Sequence, residues 1–286
     1  MLRERTLVDR DGIKIRDVSC REAPARGQTP ETAGAHTLVF VRRGCFVRAI
    51  GGVESVCDPT VAYCANPGEE ERFDHPHADG DECTAISLDP SLMASLWGER
   101  ETLPSGPLPT SPRIDLEQRV LVAAGRRRGA DPDELVERAI TMAARALELT
   151  DPSYVAAGRP TTIRARNRVV NRAREALAAE PGLTLVQLAR ALAVSPHHLS
   201  RMFRSATGHT ISRHRIRLRT RAALERLAEG EQHLSRLAAD VGLTDHSHLC
   251  RLMQAETGAT PSWLRELLSI QGPTASLKEE ARTRAP

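Results

Sequence analysis

Apolar and polar positions follow two different rhythms along the chain. Between residues 36 and 88 the apolar runs are short: HTLVFV, CFVRAI, VESVC, VAYCAN and CTAISL. Between them stand RRG, GG, DPT, NPGEE and ADGD. Runs rich in Val, Ile and Phe, bounded by turn formers, predict strands. Their spacing suits a small antiparallel barrel or sandwich. SLMASLW then predicts one or two helical turns, and ETLPSGPLPTSPR a loop, because so many prolines exclude a helix. Residues 114–128 and 133–149 read as helices. In the latter, Leu135, Ile140, Ala143, Ala144, Leu147 and Leu149 mostly share one face. Residues 150–163 read as a linker.

From residue 164 the rhythm is helical and one unit occurs twice. SPHHLSRMFRSATGHT (195–210) and TDHSHLCRLMQAETGAT (244–260) share Leu, Arg two places on, a bulky apolar pair and a closing Thr-Gly-x-Thr. A short helix precedes each copy, 185–192 and 234–241. In the first copy Leu185, Leu188 and Leu192 stripe the leading helix, Ser195 is placed to cap and Pro196 to open the next. Leu199, Met202 and Phe203 then recur at i, i+3, i+4. The second copy keeps Leu234, Leu237 and Val241, then Leu249, Leu252 and Met253, with Thr244 or Asp245 as cap. Each copy is thus a helix-turn-helix by its physical signature. A helix of about 20 residues, 211–229, joins them and would span roughly 30 Å, close to the ~34 Å between successive major-groove faces.

Charge sharpens this picture. The net charge of +3 hides an asymmetry: residues 159–286 carry 21 basic and 11 acidic side chains, a net +10, against −7 for the rest. One half of the chain therefore suits a polyanion. Aromatic residues are only 3%, too few for the stacking platforms of single-strand binders, which favours double-stranded DNA. The arginines at 213, 215, 217, 219 and 221 alternate around the connecting helix and cannot all face DNA; most should be solvated or paired. The charged N-terminus lacks an apolar signal core and no run of apolar residues reaches membrane-spanning length, so the chain reads as cytoplasmic.

LARALAVSPHHLSRMFRSATGHT and LAADVGLTDHSHLCRLMQAETGATPSWLR resemble the AraC/XylS family of bacterial transcription regulators over about residues 164–266. The resemblance implies base reading by His197, Ser200 and Arg201, then His246, Ser247, Cys250 and Arg251. The two arginines suit guanine best, the alternative being a surface ion pair or phosphate contact. Ser195, Arg204 and Thr244 fall to phosphate or capping roles. Ala193 stands where the family commonly has Gly. HTLVFVRRGCF and CANPGEEERFDHPHADGDECTAISL resemble, less specifically, the cupin-type sensor domain of such regulators, which binds a small-molecule effector inside its barrel and dimerises. Helices 114–149 are candidate dimer elements, or plain packing helices. RNA polymerase is a further partner by resemblance. The expected fold class is α+β: a cupin-like antiparallel barrel over 1–113, a helical region over 114–150, an all-α double helix-turn-helix domain over 164–268 and a tail over 269–286.

Other chemistry is sparse. No P-loop, GxSxG or HExxH occurs, so no enzyme activity and no cofactor are expected. His75, His77 and Glu82 resemble the metal motif of enzymatic cupins, but Pro76 interrupts the pair and the stretch reads as an exposed polar hairpin. Cys45, Cys57, Cys64 and Cys83 lie on expected strands. Some could meet inside the barrel to ligate a soft metal or sense oxidation; buried thiols are the default reading. His246, His248 and Cys250 diverge on a helix and are discounted as a metal set.

Overall fold

The computed structural model describes residues 2–21, 29–77, 80–97, 102–149 and 160–269. Its N-terminal part is built from antiparallel strands: β1 (Leu2–Arg10), β2 (Ile13–Cys20), β3 (Glu31–Thr32), β4 (His36–Arg43), β5 (Phe46–Ile50), β6 (Val53–Cys57), β7 (Val61–Ala65), β8 (Glu70–Asp74), β9 (Asp81–Leu88) and β10 (Leu108–Pro109). They form two sheets, ordered β1-β2-β9-β4-β7-β10 and β3-β8-β5-β6. The five strands expected from the short apolar runs are present. β1, β2 and β8 had no such signal; the turn expected at NPGEE is present at Pro67 and Gly68, and β8 begins at its last residue, Glu70.

Alternation along β4 shows how the sheets are used. Val39 and Val41 join Phe46, Cys57, Tyr63, Cys83 and Ala85 in a cluster contributed by both sheets. Leu38 and Phe40, on the opposite face, join a second cluster with Ile15, Cys64 and Ile86, covered by Met93, Ile114, Leu121, Leu135 and Met142. These last residues come from α1 (Pro90–Trp97), α2 (Pro112–Arg126) and α3 (Pro132–Glu148). The expected effector space inside the barrel is filled by side chains: Phe46 makes edge contacts with Tyr63 and Phe73, and the Arg48 guanidinium sits 4.3 Å above the Tyr63 ring.

The C-terminal part is helical: α4 (Pro160–Ala179), α5 (Leu185–Ala191), α6 (Pro196–Thr207), α7 (Ile211–Ala228), α8 (Leu234–Asp240), α9 (His246–Thr257) and α10 (Pro261–Leu268). Most of the expected linker, residues 150–159, lies outside the described residues, as does nearly all of the expected tail. Two cores result. One gathers Val170, Leu177, Leu188, Leu199, Met202, Phe203 and Leu218; the other gathers Leu224, Leu227, Leu237, Leu249, Met253 and Leu264. α7 serves both, because its 18 residues run past each helix pair. Among the described residues no helix is long and apolar enough to cross a membrane.

Candidate nucleic-acid interface

The first helix pair is α5 and α6. The Ser195 hydroxyl accepts from the His198 amide at 3.2 Å, fixing the start of α6; Pro196 follows at the first helical position, where its missing N–H costs nothing. Leu199 and Phe203 are fully buried and Met202 nearly so. With that stripe anchored, His197, Arg201 and Arg204 are exposed and Ser200 is half-buried. The polar face of α6 is thus presented to solvent along its N-terminal turns.

The second pair, α8 and α9, repeats the device. Asp245, rather than Thr244, caps α9, accepting from the His248 amide at 2.7 Å. Thr244 stays exposed, its hydroxyl 3.1 Å from His248 Nδ1. Leu249 and Met253 are fully buried, while His246, Ser247 and Arg251 are exposed and Cys250 is half-buried. Cys250 Sγ lies 3.4 Å from His246 Nε2, one helical turn away. In the two turns Ala193 and Gly242 hold equivalent left-handed conformations, φ +55° and +73°. Only Gly adopts that region freely.

The connecting arginines divide by partner. Arg213 pairs with Glu256, and Arg215 donates to the Pro181 carbonyl at 2.9 Å. Arg217 and Arg221 are buried, which the alternating spacing did not reveal. They lie where α7 meets the sheets and α2. Arg221 donates to the Thr110 hydroxyl at 3.1 Å and stands 3.9 Å from Asp115. Burial, reinforced by Arg221, lowers the Arg217 pKa to about 10.

Further charged pairs cross the same seam. Arg174 of α4 reaches Asp58, in the turn between β6 and β7, at 2.8 Å. Burial alone would raise the Asp58 pKa; Arg174, His214 and hydrogen bonds from Thr60 hold it well below the usual carboxylate range. Arg119 of α2 binds Asp115 and Glu225. Leu116 and Val120 of α2 pack on the second helical core, and Arg127 donates to the Leu267 and Ser269 carbonyls at 3.2 and 3.0 Å. Beside this seam lies a cleft of about 400 Å³, lined among others by Arg42, Gly44 and His77 from the sheet side and by Arg221, Glu225 and Arg226 from α7. Sequence reasoning missed this interface; DPT read only as a turn, and Arg221 only as one charge in a series.

The metal candidates separate. Glu82 turns to Arg42 at 3.4 Å, His77 lines the cleft, and His75 Nε2 lies 3.1 Å from Asp81. The His75 side chain is only 12% exposed, so the exposed-hairpin expectation fails there: the Asp81 carboxylate, six residues on, draws the ring inward. Cys45, Cys57, Cys64 and Cys83 are buried and free. Cys64 faces a different core from Cys57 and Cys83. Burial pushes the Cys57 and Cys64 thiols up to about 12, so both remain protonated and unreactive.

Residues 188–266 match the family model of a helix-turn-helix domain. A comparison with curated protein sequences finds no match. Among solved structures, ToxT from Vibrio cholerae aligns over 90% of this chain and 99% of its own at 9% identity, with a TM-score of 0.35. The C-terminal domain of AraT, a response regulator from Geobacillus stearothermophilus, aligns over 34% of this chain and 83% of its own at 28% identity, with a TM-score of 0.33. The matched stretch holds all ten residues expected to contact DNA.

Proposed function

We propose that the chain is a sequence-specific regulator of transcription that reads double-stranded DNA with α6 and α9. The observation that carries this reading is the pairing of two fully anchored helices whose opposite faces are polar and open to solvent. Arg201 and Arg251 are the principal base readers, each suited to guanine O6 and N7. His197, Ser200, His246, Ser247 and Cys250 complete the reading faces. Ser195, Arg204 and Thr244 hold phosphates. At ~1.5 Å per residue, α7 spans roughly 27 Å, short of one groove repeat, so bound DNA bends toward the protein at a cost of a few kcal/mol.

The N-terminal part controls this activity through the seam. A small-molecule effector occupies the cleft beside α7, whose volume of about 400 Å³ lies in the usual range for ligand sites. This replaces the barrel interior as the effector site, because packed side chains fill the space between the sheets. The regulator acts as a homodimer with RNA polymerase as a partner, and catalyses no reaction.

Footprinting on the DNA flanking its own gene tests the reading. Protection of two blocks on one side of the duplex is expected. Uniform or absent protection at every salt concentration would overturn it.

A further inference from the structure

We infer that Cys20, His75 and Asp81 form a binding site for a borderline-soft divalent cation such as Zn²⁺. Cys20 ends β2, Asp81 begins β9, and the two are directly opposite in the ladder. His75 follows β8. One donor atom from each lies within 4.8 Å of the other two. A tetrahedral zinc ion holds its donors roughly 3.5 Å apart, so side-chain torsions alone close the set.

The backbone is shaped to make this meeting possible. Gly80 adopts φ +71°, and a Cβ there would lie 2.3 Å from the Cys20 carbonyl oxygen. A Cβ on Gly44 would lie 2.3 Å from the Gly80 carbonyl oxygen. Two glycines thus let three chain segments stack where any side chain would force them apart.

A second observation points to a ligand. Asp81 is 7% exposed, and its Oδ2 makes no hydrogen bond, although His75 Nε2 is 3.1 Å away. Buried carboxylate oxygens are ordinarily satisfied. Here the ring nitrogen and the carboxylate oxygen face each other across a gap that a cation could share. The other oxygen, Oδ1, accepts from the Cys83 thiol at 3.8 Å, which fixes the carboxylate plane.

Donor chemistry selects the cation. Sulfur and imidazole favour zinc or a similar transition metal over magnesium or calcium. Three protein donors leave a fourth position for water or a small ligand, as in exchangeable rather than closed sites. Gly80 and His77, neighbours of two of the donors, line the cleft beside α7. The site stands on its own geometry and does not depend on the DNA-reading assignment.

Cobalt(II) titration of the reduced, chelator-treated full chain tests the proposal. One equivalent should bind with a thiolate-to-cobalt absorption band and be displaced by Zn²⁺. Cys20→Ser should abolish the band, and His75→Gln should weaken binding at least tenfold, while Cys57→Ser keeps both. Absence of the band in the unmodified chain, or its survival in Cys20→Ser, overturns the site. Should Cys20→Ser fail to fold, thermal melting of the unmodified chain decides: Zn²⁺ must raise its Tm, and an unchanged Tm overturns the proposal.

Discussion

Arg174 and Asp58 lie far apart in sequence, yet their buried side chains meet at 2.8 Å. Asp58 also accepts from the Thr60 amide and hydroxyl at 2.7 and 2.6 Å. The pair ties the first helix of the C-terminal part to a turn of the sheet. Removing one partner strands the other charge in a buried site. Asp58→Asn should therefore lower the stability of the full chain by about 3–5 kcal/mol, measured as a shifted urea midpoint. The double change Asp58→Asn with Arg174→Met should cost less than the sum of the singles. Additivity would show that the pair is not coupled.

The same cluster sets a direction for pH. Burial, opposed by Asp58 and aided by Arg174, lowers the His214 pKa to about 3. Burial and then Arg217 lower that of His209 to about 4. An unfolded chain protonates both near pH 6.5, while the folded chain refuses the protons. Their contribution to stability is full above about pH 6.5 and is lost progressively as pH falls toward 4. Asp58 acts in the same direction at lower pH, because its carboxylate is held below its unfolded value. Urea midpoints should fall between pH 7 and 5, and His214→Gln should flatten that slope. A midpoint that rises on acidification contradicts the assignment.

Ala193 holds φ +55° in the first turn, where the equivalent Gly242 is unstrained. Ala193→Gly should raise stability by about 1 kcal/mol. Gly242→Ala should lower it by at least as much, because the added Cβ also meets the Arg219 guanidinium at 3.3 Å. Thermal melts of both variants check the pair, and matching shifts of one sign would contradict it.

Arg204 is exposed at the far end of α6, beyond the turns proposed to reach base edges. Arg204→Ala should weaken binding to every duplex alike and reduce the salt slope by about one. A loss confined to one DNA sequence would move Arg204 into the reading set.

The helices were legible because local rules agree at each one. Leu199, Met202 and Phe203 give the period, Ser195 the start and Gly208 the stop, so α6 follows from a dozen residues. β1 was not legible: five of its first residues are exposed, and LRERTLVDR has no run of apolar residues. β8 hid in the acidic EERFD, whose partners lie across the second sheet. The seam was hidden for a different reason. Arg221 is fully buried because Thr110 and Asp115 come to it from an element far away in sequence, and sequence pattern counts an arginine as exposed. His75 looked like a polar hairpin residue for a related cause, since Cys20 meets it only in three dimensions. The reading faces were legible as polar surfaces; which bases they prefer is not written in exposure or spacing.

Selection of bound duplexes from a random library tests the central claim most directly, run in parallel on the full chain, on Arg201→Ala and on Arg251→Ala. The unmodified chain should enrich two short blocks about 10 base pairs apart, centre to centre. Arg201→Ala should lose discrimination in one block and Arg251→Ala in the other, each at about 1–3 kcal/mol for the affected base pair. No enriched sequence, or equal weakening of both blocks by each variant, would contradict the assignment of α6 and α9 as separate readers of neighbouring grooves.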